Sequence, residues 1–274
     1  MDITEVIKNQ VLKAAINEAE ARKLYKKRNL SPSIDFMCMR KSYYDFEFSG
    51  NNSTEIDIRD FKYESIRATT VGNNFHSFME KVCKDAGILR LSETDLIDEE
   101  YHIKARLDMV VEIENTLFLV ELKSAQEYSL KMMTDENSPD IEHQKQAQLY
   151  FHLLEVNKDK PEIKEVLKGR KIRRGIILYE NKNKHKLVSF TINKNQKIID
   201  YLLNYAKDLM ISVTLGKEPE IDLQPDSFEC KYKCRARYYE KCHGISNPTK
   251  EEIKDENIWG FNNVKEISAN PKFI

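Results

Sequence analysis

The sequence predicts an α/β fold in which strand-rich segments are enclosed by helices. Three observations predict it. Two pairs of apolar or β-branched runs are each joined by a short polar stretch, amphipathic spacing flanks them on both sides, and 41% hydrophobic content in 274 residues supplies a core. No internal repeat, low-complexity linker or composition break divides the chain. A single domain over residues 1–245 is therefore expected, followed by a polar tail, 246–274, that carries the lone Trp259.

Residues 4–28 place Val6, Ile7, Val11, Leu12, Ile16 and Leu24 among charges, a helical pattern ending before NLSPS. A short element, SIDFMCMRKSYYDF, and a polar loop, SGNNSTE, follow. Gly72 and Asn73 then precede a helix whose Phe75, Phe78, Met79 and Val82 share a face and whose stop is Gly87. Runs 107–113 and 116–123, separated by Glu114-Asn115, predict an antiparallel hairpin. Asp140 caps a helix through QAQLYFHLLEV; KIRRGIILYE and KLVSFTI form a second hairpin; and 196–214 is a long amphipathic helix.

Charged residues make up 32% but sum to a net charge of −1. A nucleic-acid partner must then be held by local basic clusters, of which 26–28, 168–174 and 231–237 are candidates, each equally able to be a solvated face. The N-terminus has no basic region followed by an apolar stretch, and no uncharged run approaches the ~20 residues that span a bilayer. An intracellular, cytoplasmic protein without membrane contact is expected. Five cysteines, an odd number, argue against a disulfide scaffold and leave metal binding or simple burial.

The first hairpin carries the chemistry. Counting outward from a two-residue turn pairs Ile113 with Thr116, Glu112 with Leu117, Val110 with Leu119, and Asp108 with Glu121. Two carboxylates ~5 Å apart across a ladder repel unless something positive lies beside them. A divalent metal is the simplest candidate, because Mg²⁺ takes oxygen ligands and keeps waters for exchange with a substrate phosphate. Lys123 lies on the same face as Glu121, where an ammonium can hold or help deprotonate an attacking water and offset charge developing on phosphate. A longer turn would break the pairing and leave a surface ion pair.

The Asp108…Glu121-x-Lys123 pattern resembles the signature of the PD-(D/E)XK nuclease superfamily. Three further patterns occur in the order of its RecB-like branch. Gly72, His76 and Glu80 are similar to a Gly-x3-His-x3-Glu motif, which implies that His76 joins Asp108 and Glu121 as a metal ligand, with the Leu122 carbonyl a further one. Gln146 and Tyr150 resemble a Gln-x3-Tyr motif, implying contacts to DNA. Cys38, in a segment similar to Ser-x-(n)-Cys-Pro-Arg-Lys-x-Tyr, together with Cys230, Cys234 and Cys242, implies a [4Fe-4S] staple joining the two chain ends. Met39 replaces the usual Pro, and the late cysteine spacing is looser than the family's. Zinc on three Cys with His243, or on all four Cys, is the alternative, and ordinary reduced cysteines the third reading; Cys83, on the apolar side of its helix, is expected to be buried.

The resemblance implies a restriction-endonuclease-like core with a central mixed sheet. It further implies a Mg²⁺- or Mn²⁺-dependent single-strand DNA exonuclease, similar to CRISPR-associated iron-sulfur exonucleases and to a nuclease domain of recombination helicase-nucleases. No GxxxxGK[ST] sequence occurs, so a helicase motor would be a partner in trans. The rival readings are a non-catalytic DNA-end-binding module and a structure-specific endonuclease.

Overall fold

The computed structural model describes residues 3–23, 26–49, 63–227, 229–230, 234 and 236–244. The expected tail with Trp259, most of the 231–237 basic cluster and most of the SGNNSTE loop lie outside the described residues. The chain falls into two compact units, Met1–Glu220 and Ile221–Ile274. The sequence boundary at 245 followed a change in polarity; the contacts part earlier, after the long helix that ends the first unit.

The first unit is an α/β fold built on one five-stranded mixed sheet. Its strands, in spatial and chain order, are β1 (Leu89–Asp98), β2 (Ile103–Ile113), β3 (Thr116–Ala125), β4 (Arg174–Asn181) and β5 (Leu187–Asn193). Only β3 and β4 run parallel. A parallel pair needs a crossover, and it is supplied by α4 (Glu127–Asp135), α5 (Ile141–Val156) and α6 (Pro161–Leu167). Before the sheet come α1 (Ile3–Lys23), α2 (Met39–Glu47) and α3 (Tyr63–Asp85); after it comes α7 (Gln196–Leu215). This is the arrangement expected of a restriction-endonuclease-like core. No helix among the described residues is long and apolar enough to cross a membrane.

Local chemistry accounts for the element ends. Glu114 and Asn115 both take positive φ, 50° and 63°, as a two-residue primed turn requires, and the register Ile113–Thr116, Glu112–Leu117, Val110–Leu119 follows from it. Gly87, at φ 70°, terminates α3 while the Ile88 amide bonds back to the Cys83 carbonyl at 3.1 Å. Asp140 caps α5 by accepting the Glu142 amide at 2.8 Å. Gly175, mid-strand, allows α5 to approach: a Cβ there would sit 3.1 Å from Phe151 Cζ and 3.3 Å from the Leu119 carbonyl.

Three differences from the sequence reading are informative. Helix α3 begins at Tyr63, so Gly72 and Asn73 lie inside it rather than ahead of it. The stretch Thr69-Thr70-Val71-Gly72 has poor helix propensity, and packing along the sheet outweighs it. Strand β1 was not anticipated, because its register shifts between Leu89 and Leu91 and its alternation of apolar residues breaks there. Helices α4 and α6 were likewise absent from the reading.

Helix α3 lays Phe75, Met79 and Cys83 against Met109, Val111, Val120 and Leu122, forming the core on one face of the sheet. Side chains alternate on a strand, so Asp108, Leu119, Glu121 and Lys123 point to the opposite face, where α5 packs.

The second unit contains α8 (Ala236–His243), whose Tyr238 and Tyr239 are buried, and the Tyr239 hydroxyl donates to the Pro225 carbonyl at 3.2 Å.

Candidate active site

Strands β2 and β3 pair from the turn only as far as Met109–Val120. Beyond that point the ladder stops, although one more pair would have set Asp108 opposite Glu121. The Leu122 amide and carbonyl, which a continued ladder would have paired with β2, are taken by two side chains. The amide donates to Asp108 Oδ2 at 2.8 Å, and His76 Nε2 donates to the carbonyl at 3.1 Å. The sheet therefore opens where the predicted acids lie, and His76 reaches into the opening from α3.

The tautomer of His76 follows. A carbonyl only accepts, so Nε2 carries a proton, and in the neutral imidazole Nδ1 then presents a lone pair. That lone pair lies 3.5 Å from Asp108 Oδ1. Two acceptors facing each other at this distance leave room for a cation between them; cis ligands of an octahedral Mg²⁺ site stand roughly 3 Å apart.

Glu121 is the most constrained of the group. It is 0% exposed, its Oε1 accepts from Lys123 Nζ, and its Oε2 has no hydrogen-bond partner. Burial pushes its carboxyl up to about 8, with Asp108 adding to the rise and Lys123 opposing it. Burial also acts to lower Lys123, but the charges of Glu121 and Asp108 outweigh it, and the ammonium is retained more strongly than usual. Lys123 is thus a hydrogen-bond donor in this state and not a base. A buried carboxylate oxygen without a partner is costly. A carboxylate oxygen under the charge of Asp108 suits a hard divalent cation, and the donors that converge within 4.8 Å of one another among the described residues are His76, Asp108 and Glu93.

The structure adds one residue that sequence reasoning missed. Glu93, on β1, brings a carboxylate oxygen within 4.8 Å of ligand atoms of both His76 and Asp108. Its backbone takes φ 45°, unusual for a residue in a strand, and its Oε2 meets Arg106 Nε at 2.7 Å. The only sequence signal was an acid in a strand bordering β2, and the irregular alternation of LSETDLID hid that strand.

The remaining site candidates divide into two groups. Glu80, one turn after His76, accepts from Ser92 Oγ at 2.7 Å and so fixes α3 to β1. Gln146 and Tyr150 do share a helical face, but each is only 4% exposed. Gln146 Nε2 donates to the Tyr150 hydroxyl at 2.9 Å, which in turn donates to the Arg106 carbonyl at 3.1 Å. Burial first, then the charges of Glu121 and Asp108, raise the Tyr150 phenol well above its usual value. This chain ties α5 to the β2 segment that carries Asp108. Tyr179, the β4 neighbour of Lys123, is fully buried and bonded at its hydroxyl to His143 Nδ1 at 2.8 Å.

The cysteines lie in both units. Cys38, in the first, is the N-cap of α2, its Sγ accepting the Lys41 amide at 3.4 Å. In the second, burial raises the Cys230 thiol, and the charge of nearby Cys242 adds to the effect; burial, then the charges of Cys230, Asp226 and Cys234, raise the Tyr239 phenol. Cys83 is buried in the α3 core, as its helical position predicted.

No protein-family model matches the chain, and no curated protein does. Among solved structures, a protein named SSO0001 is similar at TM-score 0.46 and 17% identity, over 75% of this chain and 86% of that one. The exonuclease LHK-Exo in complex with dAMP gives TM-score 0.46 and 14% identity, over 72% and 93%. A second structure of that alkaline exonuclease, from Laribacter hongkongensis, gives 0.42 and 10% over the same shares.

Proposed function

We propose that the protein is a metal-dependent nuclease that hydrolyses phosphodiester bonds in DNA, acting as an exonuclease on single-stranded ends. The observation that carries this reading is the fully buried Glu121, its Oε2 without a hydrogen-bond partner, its Oε1 bonded to the Lys123 ammonium and its carboxyl under the charge of Asp108, which itself meets His76. His76, Asp108, Glu121 and the Leu122 carbonyl would hold the ion, with Glu93 at its outer side. Bound Mg²⁺ or Mn²⁺ supplies Lewis acidity toward a phosphoryl oxygen and lowers the pKa of water.

The chain's own groups supply the rest. Lys123 donates to the attacking water, orienting it, and its charge offsets the negative charge gathering on phosphorus-bound oxygens as the ester bond breaks. Asp108, fixed by the Leu122 amide, and His76, fixed by the Leu122 carbonyl, keep their remaining donor atoms aimed at one point. Tyr150 and Gln146 position the β2 segment; in the conformation described, their buried hydroxyl and amide reach protein groups, and a contact of Gln146 with the DNA backbone would require α5 to be uncovered.

Cys38, Cys230, Cys234 and Cys242 are proposed ligands of a [4Fe-4S] cluster, with zinc, including His243, as the alternative. Anaerobically purified protein that is brown and contains iron supports the cluster; colourless protein with stoichiometric zinc replaces it. A helicase partner in trans belongs to the same proposal.

The decisive assay uses end-labelled linear and circular single-stranded DNA with Mg²⁺, Mn²⁺ or EDTA. Wild-type protein should shorten the linear substrate only, and only with metal. Glu121→Ala should keep the fold and lose cleavage; undiminished metal-dependent cleavage by the purified variant would falsify the assignment.

A further inference from the structure

Some cations of the first unit are matched by acids. Lys184 pairs with Glu127, Lys194 with Glu155 at 2.6 Å, Arg106 with Glu93, and Arg170 with Glu112 at 2.5 Å. An open groove of about 440 Å³ is lined by Lys8, Arg67 and Lys182, with Tyr63, and no acid is among the described residues of its wall. None of the three cations makes an ion pair among the described residues. Lys8 Nζ stands 5.9 Å from the centre of the Tyr63 ring.

Two elements that line the groove also carry site residues. On α3, Ala68 lines the groove, and Gly72 and His76 follow it at one-turn intervals on the same side; the eight residues span about 12 Å. On the chain leaving β3, Gln126 lines the groove three residues beyond Lys123, and Lys182 is tied to it through its amide to the Ala125 carbonyl at 3.0 Å. Where the elements meet, a Cβ on Gly72 would lie 3.6 Å from Ser124 Oγ.

We propose that this groove binds the backbone and one base of a single DNA strand lying next to the phosphodiester at the acids. Three unpaired cations can neutralise successive phosphates, and the tyrosine face accepts a base whatever its identity, the combination that holds single strands without sequence preference. A duplex offers no unstacked base to Tyr63. The inference rests on the nuclease reading for the direction of the strand, but its binding does not need the metal.

Binding of fluorescent oligothymidine, about twenty nucleotides long, is therefore measured by anisotropy in EDTA across roughly 50–300 mM salt. Lys8→Ala/Arg67→Ala/Lys182→Ala should weaken it at least about tenfold and flatten the log–log salt slope by about 2, the share of three single-strand phosphate contacts. The charge-preserving Lys8→Arg/Arg67→Lys/Lys182→Arg should restore it. Tyr63→Leu should weaken oligothymidine binding about tenfold and leave duplex binding unchanged. Wild-type affinity and slope in the alanine variant would overturn the groove, and equal loss of duplex and single-strand binding in Tyr63→Leu would overturn the stacked base. If wild-type protein leaves DNA intact with Mn²⁺ while these binding losses appear, the nuclease reading fails and the groove stands; cleavage with unaltered binding gives the reverse.

Discussion

The two ends of the β2–β3 hairpin hold the same kind of residue in opposite states. Near the turn, Glu112 is clasped by Arg90 at 2.8 Å and by Arg170 at 2.5 Å, and these guanidiniums, Arg170 foremost, pull its carboxyl down to about 2. At the open end Glu121 is buried, shares one lysine, leaves an oxygen without a partner and is pushed up to about 8. One carboxylate is satisfied by the protein; the other keeps an oxygen without a hydrogen-bond partner, which the proposed metal would take. Stability is built at the turn and given up at the opening, which is where chemistry is expected.

The largest expected contrast is in rate. Asp108→Asn and Lys123→Ala should reduce metal-dependent cleavage by at least the roughly 10²–10³-fold that removing one electrostatic group costs. Glu112→Gln should leave the rate within about twofold, as measured by initial rates on labelled single strands. Comparable losses at both ends would erase the distinction.

Next is the response to metal. Saturating Mn²⁺ at about a hundred times its Kd should stabilise wild-type protein by about 2.7 kcal/mol, a rise in melting temperature of roughly 5–10 °C. Glu112→Gln should respond likewise, and Glu121→Gln far less. Differential scanning calorimetry with and without metal reads the difference.

The pH dependence has opposite signs at the two ends. Glu121 has a raised folded pKa, so its contribution is fully present below about pH 4.5 and is lost as pH rises towards about 8. Glu112 has a depressed one, so its contribution is present above about pH 4.5 and is lost as pH falls towards about 2. In metal-free buffer, Glu121→Gln should flatten the decline in stability between pH 5 and 8, and Glu112→Gln the decline below pH 4.5. Urea midpoints across pH measure both. The smallest effect is Arg170→Ala, an exposed partner, which should lower the melting temperature by only about 1–2 °C and leave cleavage unchanged.

The contrast also explains what the sequence could disclose. The hairpin was legible because Glu114-Asn115 permits one register, and that register puts Asp108 and Glu121 on one face. The stop of the ladder after Met109–Val120 was not, since it depends on Asp108 and His76 taking the Leu122 backbone groups, a three-element arrangement. Glu93 was hidden by the β1 register shift, which destroys the period-2 pattern. The groove was hidden for another reason: Lys8, Arg67 and Lys182 come from three distant segments, whereas the visible basic runs are partly engaged in ion pairs, Lys27 with Asp35 and Arg170 with Glu112. His76 was legible only through the resemblance, because a lone helical histidine has no periodic signature.

The central claim is that Glu121 Oε2 lacks a partner because a divalent metal is its partner. Crystals of the protein soaked with Mn²⁺ and measured at an anomalous wavelength test this directly. The account predicts a peak bonded to Asp108, Glu121 Oε2 and the Leu122 carbonyl, with His76 Nδ1 turned to it; a map with no peak there, or with manganese elsewhere and Oε2 still alone, would contradict it.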